Sequence, residues 1–120
     1  VVPRGELPAL LTKVKALGEA HGFRSICYGH AGDGNLHINI LRDGLDDATW
    51  NKALDVAIRD LFAEVVKLGG TLSGEHGIGF VQKNFMDVAC SERHLSVMKG
   101  IKAVLDPKGI LNPGKIFPDA

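Results

Sequence analysis

The stretch that most restricts the fold is Gly29 to Asn39, GHAGDGNLHIN. Its middle, Ala31-Gly32-Asp33-Gly34-Asn35, separates two short apolar runs, Phe23 to Tyr28 and Leu36 to Leu41. Glycine takes positive φ without steric cost, and Asp and Asn tolerate left-handed backbone while bonding to their own main chain. The chain is therefore expected to double back here as a β-hairpin. On the second strand Leu36, Ile38 and Ile40 alternate with His37, Asn39 and Leu41. That period of two puts the three aliphatic side chains on one face and His37 with Asn39 on the other.

Helical periodicity surrounds this hairpin. From Glu6 to about Ala20 the apolar residues Leu7, Leu10, Leu11, Val14 and Leu17 follow i, i+3, i+4, i+7 spacing, and Gly22 is a stop signal. Asp46 or Asp47 can cap a long helix striped by Trp50, Leu54, Ala57, Ile58, Leu61, Val65 and Leu68 and ended by Gly69-Gly70. Thr71 to Ser73 reads as a brief strand. A third helix is expected from a Ser91 cap, with Leu95, Met98, Ile101, Val104 and Leu105 facing inward and a stop before Pro107. Asp106-Pro107-Lys108-Gly109 has the residue order of a type I turn. Val1-Val2-Pro3 suits the end of one further strand, and this opening without Met reads as a fragment of something longer. The order predicts a single α+β domain over residues 1–120, a mostly antiparallel sheet with helices packed on one face.

Composition narrows the function. Fourteen basic residues balance fourteen acidic ones, with no dense Lys/Arg run to track a phosphate backbone, so nucleic acid is not an expected partner. No apolar run reaches the roughly 18 to 20 residues of a membrane helix. Cys27 and Cys90, far apart, form no CxxC pair and read as small buried hydrophobes.

The chemistry concentrates in two glycine-rich loops. His30 and His37 would stand about 23 Å apart on an extended chain, and the reversal between them brings them opposite each other at the mouth of the ribbon. Imidazole is a favoured ligand for zinc and suits iron, copper and nickel. A third ligand is available in SGEHGIG, Ser73 to Gly79, as Glu75. Two histidines and a carboxylate with an open position make the layout of a catalytic rather than a structural zinc site. His76, expected to diverge from its neighbour Glu75, would stand beside that position as a general base. The competing reading is a pair of histidines that only hydrogen-bond within a hairpin. Neither loop fits GxGxxG or GxxxxGK[ST], and Asp33 with Asn35 does not fit an EF-hand. Asn39 shares the face of His37 and could reach a substrate or simply be solvated. His21 and His94 read as surface residues, Met86 and Met98 as core fillers, and LDPKGILNPGKIF, Leu105 to Phe117, as an ordered tail.

Taken together, GHAGDGNLHIN, SGEHGIG and LDPKGILNPGKIF closely resemble the C-terminal region of FAD-linked oxidases of the vanillyl-alcohol oxidase type. That group includes D-lactate dehydrogenases, D-2-hydroxyglutarate dehydrogenase and glycolate oxidase. The resemblance covers nearly the whole chain. It implies a cap or substrate domain folding over FAD held by a separate N-terminal domain, which has no counterpart in these residues. It implies a divalent metal, usually zinc, on His30, His37 and Glu75, with His76 as the base close to substrate and flavin. Asn39 would lie by the substrate and Asn112 by the flavin. The implied reaction passes hydride from a D-2-hydroxy acid to FAD, and electrons onward to a quinone, a cytochrome or an electron-transfer flavoprotein. Such a protein would be cytoplasmic, or mitochondrial in a eukaryote, and could sit peripherally on a membrane electron-transfer complex. The 120 residues alone are expected to bind metal without turning over. Two other readings stand beside this one: a metal-clipped binding or assembly module, and a metal hydrolase on the same ligand set.

Overall fold

The computed structural model describes residues 1–119, which form two compact units, Val1–Gly74 and the segment from Glu75 onward. Among the described residues the architecture is α+β, with one two-stranded antiparallel sheet and four α-helices.

In the first unit, a 3-10 turn at Arg4–Glu6 leads into helix α1, Leu7–His21, which has Pro8 in its first turn and Gly22 at its C-cap with φ 74°. Strand β1 is Arg24–His30 and β2 is Asn35–Leu41. Helix α2, Asp47–Lys67, starts at Asp46, whose side chain accepts the Thr49 N–H at 2.9 Å. Both helices turn their stripes toward one face of the sheet. Val2, Leu10, Val14, Leu61 and Val65 form the core, and Cys27, Leu36 and Ile38 of the strands pack against it. Fully burying an aliphatic side chain of this kind contributes roughly 1.5–3 kcal/mol, so Leu10, only 1% exposed, is a principal anchor. His21 Nε2 meets Asp60 Oδ2 at 3.0 Å and ties the end of α1 to α2.

Two expected strands are not formed. Thr71–Ser73 is irregular, and Val1-Val2 joins no strand pair. The Val2 N–H donates to the Gly34 carbonyl at 3.0 Å and the Thr71 N–H to the Val1 carbonyl at 2.9 Å. These cross-links hold extended backbone in place, but each run is too short to build a ladder. Leu11, expected inward, is 44% exposed, because it falls at the margin of the α1 stripe. Cys27 and Cys90, expected buried, are both half-buried.

In the second unit, a 3-10 turn at Lys83–Phe85 precedes α3, Met86–Ala89, and α4, Glu92–Leu105. Ser91 caps α4 by accepting the His94 N–H at 3.3 Å. The inward stripe expected for α4 is not found: Leu95 and Met98 are half-buried, while Ile101, Val104 and Leu105 are exposed. Periodicity selects the face a helix would bury and carries no information on whether anything covers it. The turn after α4 is built on Asp106. Its carboxylate accepts the N–H groups of Ile110 and Leu111, each at 3.0 Å, and Lys102 Nζ at 2.7 Å. The Gly109 N–H closes the turn on the Asp106 carbonyl.

Candidate functional site

The hairpin in the first unit carries its histidines on the face away from the core. Ala31–Asp33 is a 3-10 turn and Gly34 closes it with φ 71°. A Cβ on Gly34 would collide with the Val2 carbonyl oxygen, so that position needs glycine for space as well as for conformation. The four-residue connection pairs His30 with Asn35 and Tyr28 with His37. His30 and His37 are therefore diagonal neighbours, one pleat apart, and not directly opposite as expected from the sequence. The turn length sets this register. Because the offset is two residues, both histidines remain on one face.

Their ring centroids are 6.1 Å apart with planes at 78°. Two imidazoles on one zinc, each with nitrogen at about 2.0–2.1 Å, hold their ring centres roughly 5 Å apart. The observed separation is somewhat wider than that, and the donor chemistry fits a divalent ion. His30 is exposed and His37 half-buried. Tyr28 stacks on His37 with centroids 5.2 Å apart and planes at 25°. Asn39 continues the same face one pleat farther along, opposite Ile26, and is exposed.

Asn35 shares this face and is buried, 8% exposed. The chain at Gly74 runs so close to the Asn35 amide that a Cβ there would strike its oxygen. Glycine at 74 thus lets the backbone lie against the side chain opposite His30, one peptide bond before Glu75.

At the start of the second unit, His76 Nε2 stands 3.1 Å from Glu75 Oε1. The expectation that these neighbours diverge is corrected. In a loop with Gly77 at φ 72°, no strand geometry forces adjacent side chains to opposite sides, and the ring folds back onto the carboxylate. Asn112, in the tail, is exposed and holds φ 47°, a left-handed conformation that asparagine tolerates better than most residues. The structure thus brings His30 together with His37, and Glu75 with His76. Asn39 lies on the histidine face, and Asn112 sits apart in the tail turn. Sequence reasoning passed over Tyr28 and Asn35. Both could have been found by counting parity back across the hairpin, but only with the turn length already known.

Residues 1–116 match the family described as FAD linked oxidases, C-terminal domain. A D-2-hydroxyglutarate dehydrogenase from Stutzerimonas stutzeri is 41% identical over 117 residues, covering 94% of this chain and 25% of that protein. A D-lactate dehydrogenase from Anaerostipes hadrus is 38% identical over 116 residues, covering 97% and 24%. The glycolate oxidase subunit GlcD of Bacillus subtilis is 33% identical over 116 residues, covering 97% and 24%. The chain spans about a quarter of the length of these relatives.

Proposed function

Since this chain belongs to the C-terminal-domain family of FAD-linked oxidases, we propose that it serves a flavin-dependent dehydrogenase that oxidises a D-2-hydroxy acid to the 2-oxo acid. The acid is of the lactate, glycolate or 2-hydroxyglutarate class, as the names of the relatives suggest. His30, His37 and Glu75 hold a divalent metal, zinc by donor preference. FAD is held mainly by protein outside these 120 residues. A divalent ion supplies Lewis acidity toward the α-hydroxyl and carboxylate of the acid, and a flavin supplies the hydride acceptor. The reducing equivalents leave to a quinone, a cytochrome or an electron-transfer flavoprotein.

The chain's own residues do the rest. His76 takes the α-hydroxyl proton at Nε2, the nitrogen that stands beside the Glu75 carboxylate. The second carboxylate oxygen of Glu75 would remain available to a metal while Oε1 faces His76. The Asn39 amide offers both a donor and an acceptor and orients the acid from the sheet face. Asn112 contacts the flavin from the tail turn. The observation that carries the reading is the His30/His37 pair on an open sheet face, in a chain whose relatives are named for D-2-hydroxy acids.

The test uses the full-length protein containing this chain. His76→Ala should lower kcat for the D-2-hydroxy acid by about 10²–10⁴-fold, the range of a general base, with metal content unchanged by elemental analysis. His37→Ala should lower metal content and turnover together. Turnover unaffected by His76→Ala with metal retained would leave the histidines and Glu75 as a structural clip and reject the catalytic role.

A further inference from the structure

Resting on the metal reading above, we propose that Tyr28 is a positioning residue whose ring sets the orientation in which the His37 imidazole meets a metal. Tyr28 faces His37 directly across the β1–β2 pair, and the two rings lie 5.2 Å apart at 25°, close to parallel. Tyr28 is 57% exposed and belongs to no part of the core cluster. Its burial therefore does little for folding.

The geometry suits a ligand-orienting role. The lone pair of an imidazole nitrogen lies in the ring plane, so a metal must approach edge-on. A ring stacked on the flat face leaves both nitrogens open, whereas one packed against the edge would block them. The His30 ring lies with its centroid 6.1 Å from that of His37 and its plane turned by 78°. A histidine side chain has several χ1 and χ2 wells open to it in principle. The Tyr28 ring occupies the space into which His37 would swing over β1 and so leaves fewer orientations. The phenol face, rich in electron density, also favours an imidazole that gains positive character on ligation. All of this belongs to the aromatic ring and none of it to the hydroxyl.

The experiment titrates the 120-residue chain with Co²⁺, read by the visible absorption of the bound ion, and with Zn²⁺ in competition. The series is wild type, Tyr28→Phe and Tyr28→Leu. Tyr28→Phe should bind within about twofold of wild type, and Tyr28→Leu about three- to tenfold more weakly, the range expected for losing one aromatic pair. The thermal midpoint of the metal-free chain should be nearly the same in all three, which separates positioning from a loss of fold. NMR of the metal-free chain gives a second readout: the His37 ring protons should be shifted by the stacked ring in wild type and Tyr28→Phe, and should lose that shift in Tyr28→Leu. Equal Co²⁺ affinity in wild type and Tyr28→Leu overturns the platform and leaves the metal reading standing. Failure of wild type to take up either ion overturns both.

Discussion

Asp106 shows how one buried side chain organises a tail. It is 6% exposed and answers two backbone N–H groups and one ammonium. Lys102, and after it the Leu111 and Ile110 amides, hold its carboxyl below the usual carboxylate range. With the folded value depressed, the stabilisation is present in full above the unfolded value of about 3.9 and is lost as pH falls from there through the folded value. Asp106→Asn should therefore lower the thermal midpoint near neutrality and flatten the decline of stability below about pH 4, as followed by circular dichroism across a pH series. A curve for Asp106→Asn parallel to that of wild type would show that this carboxylate does not drive the acid limb.

Helices of similar amphipathic pattern meet different fates. Leu10 on α1 is buried in the core of the first unit, whereas Val104 on α4 is 81% exposed. Leu10→Ala should cost about 2–5 kcal/mol, the range for emptying a packed leucine site. Val104→Ser should stay within about 0.5 kcal/mol, as for an ordinary surface position. Urea unfolding of the two variants checks both values, and a large loss from Val104→Ser would show that the α4 stripe is packed in solution. The helix positions were legible in the sequence because caps and stops are local: Asp46 and Ser91 each bond a backbone N–H three residues on. Burial of the α4 stripe was not legible, because it depends on residues distant in the chain.

For the whole molecule, the proposed function gives the 120 residues the metal ligands and the base, and gives the flavin to protein beyond them. The purified chain should take up Zn²⁺, show no flavin absorbance and leave D-lactate unoxidised, whereas the full-length protein should bind metal, bind flavin and turn over a D-2-hydroxy acid. Flavin absorbance that co-purifies with the 120-residue chain would contradict this division. The sequence by itself determined the reversal between His30 and His37, since Gly32, Asp33, Gly34 and Asn35 leave few other paths, and it determined which face each strand residue takes, since side chains alternate with period two. The family, too, was readable from its three motif stretches, now matched over residues 1–116. Only the tertiary structure decided the register that sets Tyr28 on His37, the approach of Gly74 to Asn35 and the exposure of α4. Those features depend on the exact turn length or on segments far apart in the chain meeting, and a local pattern fixes directions along the backbone without fixing what lies across the gap.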